Sequence, residues 1–157
     1  MALKIGDTAP VFALHDQDNT RVKSTDFLGK WLLIYFYPKD NTPGCTIQAK
    51  DFTCLQEQFA SLGVQVLGIS KDSVQSHQKF ICKQELSLHL LSDPELEVIK
   101  AYDTWREKKL YGKSFLGVIR STFLIDPAGK ISQVWYNVKA KGHAERILKE
   151  VQMLLGE

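Results

Sequence analysis

The chain has 157 residues, enough for one domain, spanning 1–157, with a sizeable core. It is 44% hydrophobic and 24% charged, and 20 basic against 18 acidic residues leave a formal charge of only +2. That balance excludes a nucleic-acid binder by composition, since the nearest basic cluster, Arg106 with Lys108 and Lys109, reads as a solvated loop, and no apolar run approaches a membrane span, the longest being Trp31 to Tyr37. The N-terminal residues lack the apolar core of a signal peptide, so the expected location is cytoplasmic. Three cysteines, Cys45, Cys54 and Cys82, form no C-x-x-C pair and no four-ligand zinc pattern. A disulfide framework is not expected in a reducing compartment, and neither a metal nor a cofactor is called for; catalytic or inert thiols remain.

Taken in chain order, Val11 to His15 and Arg21 to Ser24 predict an N-terminal β-hairpin around the turn 16–19. Trp31 to Tyr37 is apolar throughout, as expected of a central strand buried on both faces, and Pro38 ends it. Thr42 then serves as N-cap, with Pro43 at the first helical position, where its missing N–H costs nothing. Ala49, Phe52, Leu55, Phe59 and Leu62 mark the apolar face of that helix, and Gly63 closes it. Val64 to Ser70 reads as a second buried strand. A helix capped by Asp72 or Ser73 follows, running to about Leu86, then a short strand over Leu88 to Leu91. Pro94 starts another helix, and Trp105 to Gly117 reads as a long loop. Arg120 to Asp126 and Ile131 to Val138 form a hairpin about 127–130, and a last helix spans His143 to Leu155. The order predicts an α/β fold: a mixed sheet flanked by helices, with a parallel pair joined by a right-handed crossover.

Cys45 carries the chemistry. It falls in the first turn of a helix that follows a buried strand, where the dipole and the unpaired N–H groups favour an anion. Such a position lowers a thiol pKa, and the thiolate is the nucleophile. Taken as a lone cysteine it would read as a small buried residue, with Thr42 only a cap; the strand–loop–helix setting with its proline–glycine turn favours a reactive thiol instead. Thr42-Pro43-Gly44-Cys45 has the spacing of a dithiol motif, but threonine stands where the first sulfur belongs.

Pro38, Thr42 and Cys45 match the P-x-x-x-T-x-x-C signature of the peroxiredoxins. The string from Tyr37 to Thr46 resembles the bacterioferritin-comigratory, or Q-type, subfamily, as do segments 6–10, 66–70, 90–93 and 120–126. The resemblance implies a thioredoxin-like fold and thiol peroxidase activity, with Cys45 attacking the O–O bond of hydrogen peroxide or an organic hydroperoxide to give a sulfenic acid. Arg120 matches the arginine that holds the thiolate and polarises the peroxide; standing alone it would read as an ion-pair residue. Pro38 would shield the pocket, and Thr42 would hydrogen-bond the peroxide or the sulfur. Gln48 stands where many members carry glutamate, and either supports the loop or the arginine or is ordinary first-turn polarity.

The sulfenic acid must be reduced, usually by a second thiol. The common resolving position, five residues after Cys45, is Lys50 here. Other members resolve from the next helix, where Cys82 lies about one residue past the usual place. Cys54, nine residues on, points away from Cys45 and sits about 13 Å along the helix axis. The order of preference is Cys82, a one-cysteine cycle with an external thiol, then Cys54; each route through a second cysteine requires local unwinding. Thioredoxin or a similar thiol donor is the implied reductant, and the subfamily suggests a monomer. Two rival readings stand beside this one: a thioredoxin-like disulfide oxidoreductase, weakened by the missing first cysteine and by Ser121-Thr122 where such enzymes place a cis-proline, and a non-catalytic binding module.

Overall fold

The strand Trp31–Phe36 sets the architecture. Its side chains alternate between two cores, with Leu33 and Tyr35 on one face of the sheet and Leu32, Ile34 and Phe36 on the other. The computed structural model describes residues 3–155, and its elements in chain order are β1 Ala13–His15, β2 Arg21–Lys23, β3 Trp31–Phe36, α1 Pro43–Ser61, β4 Val64–Ser70, α2 Val74–Gln84, β5 His89–Ser92, α3 Glu97–Ala101, β6 Trp105–Leu110, β7 Lys113–Val118, β8 Ser121–Ile125, β9 Ile131–Trp135 and α4 His143–Leu154. The main sheet runs β2-β1-β5-β4-β3-β8-β9. Strands β3, β4 and β5 are parallel, while β8 and β9 extend one side and β1 and β2 the other in antiparallel pairing. This is the expected thioredoxin-like α/β arrangement with its N-terminal hairpin.

One core lies under α1 and α4. Ala49, Phe52 and Phe59 of α1 meet Tyr35, and Ile147, Leu148 and Val151 of α4 close the layer, joined by Phe80 of α2. Phe52 stacks on Tyr35 with ring centroids 4.6 Å apart, which fixes α1 over the end of β3. The other core gathers Phe36, Phe123 and Tyr102 with Ile99 of α3. Gly68 of β4 has no room for a methyl group: a Cβ there would lie 2.8 Å from Tyr35 Cζ and from Leu90 Cδ2.

Two expectations are corrected. The segment from Trp105 to Gly117 is not a loop but a separate β6–β7 hairpin, closed by Tyr111 and Gly112, both with positive φ (53° and 76°). That two-residue turn matches strand twist, but β6 is mostly charged and β7 mostly exposed, so no apolar alternation announced them. Helix α3 begins at Glu97, not Pro94. Leu96 takes a left-handed conformation (φ 66°), and the Asp93 carboxylate accepts the Ile99 N–H at 2.8 Å, acting as the cap. Elsewhere strand and helix ends move by a few residues; β9 stops at Trp135, two residues before Asn137 with φ 52°.

Candidate active site

The site forms where β3 gives way to α1. Tyr37 still donates its N–H to Ile69 O at 3.1 Å, and Pro38, half buried, turns the chain out of the sheet. Thr42 occupies the N-cap position with extended backbone (φ −89°, ψ 154°), but its hydroxyl makes no capping bond. It donates back to Lys39 O at 2.8 Å. Two things follow. The hydroxyl's single hydrogen is committed, so its oxygen can only accept from a ligand. The first-turn N–H groups of Gly44 and Cys45 are left without a side-chain cap and free to donate.

Cys45 is 1% exposed, with Arg120 Nη2 only 3.4 Å from its Sγ. Arg120 stands just before β8 and is fixed from several sides. Its Nη1 donates to Gln48 Oε1 at 2.5 Å, and its carbonyl accepts from Val138 N at 2.9 Å. The guanidinium thus forks between a buried amide one turn along α1 and the sulfur. Gly44 makes room for it, since a Cβ there would sit 3.1 Å from Nη2 and 3.7 Å from Ala140 Cβ. Gln48 is fully buried, and its Nε2 has no partner among the described residues. Because Arg120 can only donate, the orientation of that amide is set: Oε1 faces the arginine. Tyr35 lies beneath, its phenol pushed far above the usual range by burial and then by the negative charges of Cys45 and Asp40. It therefore stays a neutral floor.

Of the candidates, Arg120 is brought onto the Cys45 sulfur and Gln48 onto Arg120, while Pro38 and Thr42 lie on the segment that leads into Cys45. A permanent cation beside a buried thiol in the first turn of a helix is suited to nucleophilic attack on a polar bond with stabilisation of the departing charge.

Residues 5–134 match the AhpC/TSA family. The chain belongs to this family. It is 42% identical to peroxiredoxin Bcp of Bacillus subtilis over 97% of both chains, and 43% identical to peroxiredoxin Bcp of Escherichia coli over 93% of this chain and 94% of that one. Among solved structures it superposes on the peroxiredoxin Q of Xylella fastidiosa with a TM-score of 0.93, at 39% identity over 98% of each chain. It also superposes on the bacterioferritin comigratory protein of Xanthomonas campestris, studied for alkyl peroxide reduction, with a TM-score of 0.87 at 41% identity over 92% of each. The chain is therefore a peroxiredoxin of the Bcp, or Q, type and a thiol-dependent peroxidase, acting on a peroxide and using a thiol reductant.

In this peroxiredoxin the remaining cysteines lie outside the pocket. Cys54 on α1 and Cys82 on α2 are both exposed. Helix α2 approaches the loop before α1, where Gln84 Nε2 reaches Asn41 Oδ1 at 3.4 Å. Two titratable groups near the arginine escaped the sequence reasoning. Lys108, delivered by the hairpin, donates to Val118 O at 2.9 Å. Its pKa is lowered by burial and by Arg120, an effect the Cys45 charge opposes. His143, buried at the start of α4, pairs its Nε2 with Thr122 Oγ1 at 2.9 Å and leaves Nδ1 without a partner among the described residues. Burial first, then the charges of Arg146 and Arg120, push its pKa down to about 4. Lys108 was hidden by the loop assignment; the His143 environment exists only once α4 packs beside β8.

Proposed function

We propose that Cys45 is the peroxidatic nucleophile and that one domain carries the whole cycle, reducing hydrogen peroxide and organic hydroperoxides. The observation that carries this reading is the 3.4 Å contact between the Arg120 guanidinium and the Sγ of the buried Cys45. The Cys45 thiolate attacks the terminal peroxide oxygen. An S–O bond forms, the O–O bond breaks, and hydroxide or alkoxide leaves and takes up a proton. Thr42 accepts the hydrogen bond of the peroxide O–H, which aligns the O–O bond with sulfur. Arg120 and the Cys45 N–H face the charge that builds on oxygen. Pro38 shields the pocket, and Gln48 holds the second arm of the arginine.

The resulting sulfenic acid condenses with the Cys82 thiol, forming the disulfide and releasing water; two electrons and two protons from thioredoxin or a similar dithiol restore both thiols. Both thiols are exposed, and it is the reach of α2 to Asn41 that supports Cys82 over Cys54. Since Cys45 is buried and Cys82 exposed, the pair must meet by local unwinding. A cytoplasmic monomer acting away from membranes completes the proposal; among the described residues no helix is long and apolar enough to cross a bilayer. Alkyl peroxide reduction by the Xanthomonas relative supports the organic substrates.

Peptide mapping of the protein after one equivalent of hydrogen peroxide tests the pairing. A Cys45–Cys82 disulfide is expected. A Cys45–Cys54 disulfide, or a persistent sulfenic acid with Cys82 unmodified, overturns the resolving assignment.

A further inference from the structure

Beside the pocket lies a buried polar cluster that the peroxide chemistry above does not use. Asp40, in the loop between β3 and α1, is gripped from three directions. Tyr37 donates its hydroxyl to Oδ1 at 2.6 Å, Ser76 donates to Oδ2 at 2.8 Å, and His77 Nδ1 lies 2.7 Å from Oδ2. The Asp40 N–H donates to Asp72 Oδ2 at 2.8 Å, and the same oxygen accepts from Ser70 at 2.7 Å. The His77 and Asp40 side chains are 0% and 1% exposed.

The hydrogen-bond inventory fixes the proton count. His77 Nε2 lies 3.0 Å from the carbonyl oxygen of Leu91, and a carbonyl can only accept, so Nε2 carries a hydrogen. Nδ1 then faces a carboxyl oxygen at a distance that two bare lone pairs would not tolerate. A proton therefore lies between them, and the contact is a strong, charge-assisted hydrogen bond in a dry site.

The placement gives the cluster its significance. Asp40 belongs to the loop that leads into Cys45. Ser76 and His77 lie in the first turn of α2, the helix that carries Cys82. One carboxyl group thus ties together the two segments whose separation must change between the peroxide step and disulfide formation. We propose that Asp40 and His77 are positioning residues for this peroxidase: a clamp that holds loop 37–42 against α2 while Cys45 meets peroxide, and that opens before Cys45 reaches Cys82. The clamp rests on the roles proposed above for these cysteines.

Removing one partner would strand a buried charge, so the test replaces both, as Asp40→Ala with His77→Leu. Two readouts are taken: amide hydrogen exchange of residues 38–46 and 73–84 in the reduced protein, and rapid-mixing rates of Cys45 thiol loss and of disulfide formation with hydrogen peroxide. The expected result is exchange faster by about tenfold or more in both segments together. Thiol loss slows severalfold, and disulfide formation accelerates severalfold. Faster exchange in 73–84 alone, or both rate constants within twofold of the parent, overturns the clamp. If the double variant does not fold, Ser76→Ala is measured in the same way, with the same directions expected at about two- to threefold; no change there overturns it equally. A parent protein that consumes no peroxide would refute the assignment of Cys45, and the exchange data alone would then decide the clamp.

Discussion

Replacing Arg120 with methionine keeps most of the side-chain length and removes the guanidinium. Two contacts disappear, the Nη2 donor 3.4 Å from Cys45 Sγ and the Nη1 donor 2.5 Å from Gln48 Oε1. A hydrogen bond to a charged group contributes about 1.5–3 kcal/mol. Spent on the sulfur and the departing oxygen in the transition state, its loss corresponds to a fall of about 10- to 150-fold in kcat/KM. The second contact acts on the fold instead. Gln48 Nε2 already lacks a partner, so losing the arginine leaves the whole buried amide unsatisfied, at a cost of about 1–3 kcal/mol. Thermal melting separates that effect from the kinetic one. Arg120→Lys retains the charge, but a single ammonium cannot span both contacts, and its rate should fall between the parent and Arg120→Met. Initial rates of hydrogen peroxide consumption, with reduced thioredoxin, its reductase and NADPH in excess, measure kcat/KM. A folded Arg120→Met protein within threefold of the parent would refute the reasoning.

Other consequences can be measured directly. Thr42→Val should lower kcat/KM about tenfold or more in the same assay, while Thr42→Ser, which keeps the acceptor oxygen, should stay within about threefold. Because the folded pKa of His143 lies near 4 and the unfolded value near 6.5, the unfolded chain takes up this proton first. The His143 contribution is therefore fully present above pH 6.5 and is lost as pH falls toward 4, by less than about 3 kcal/mol once solvent screening is allowed for. Denaturant titrations of the parent and of His143→Gln between pH 7 and pH 4 should show that part of the slope vanish in the variant; parallel curves would contradict it. Gly68→Ala should lower Tm by about 3–10 °C, because a methyl group 2.8 Å from both Tyr35 and Leu90 must displace the ring that α1 rests on. An unchanged Tm would contradict that packing.

The central strands and the long helices were legible in the sequence because each pattern reports burial directly. Trp31–Phe36 forms β3, one residue short of the expected end at Tyr37, and Val64–Ser70 forms β4 to the residue, since a strand covered on both faces is apolar throughout. The start of α1 was equally plain from Thr42-Pro43, although the hydroxyl turned back to Lys39 rather than into the helix. The hairpin β6–β7 was hidden because its strands pair mainly with each other; Tyr111, at its tip, is 94% exposed. Only the Tyr111-Gly112 turn hinted at it. Within the site, Pro38, Thr42 and Cys45 stood out through the family resemblance that they carry. The fork of Arg120 between Gln48 and Cys45, and the meeting of Asp40 with His77, depend on contacts 72, 75 and 37 residues apart in the chain, which no local pattern encodes.

Peroxide reduction turns on a single sulfur, so the direct measurement is peroxide consumption by Cys45→Ser in a single turnover, beside Cys54→Ser and Cys82→Ser. The serine variant at 45 should consume no hydrogen peroxide above the uncatalysed rate, while the other two variants still reduce the first equivalent. Turnover persisting in Cys45→Ser, with loss in either of the others, would contradict it.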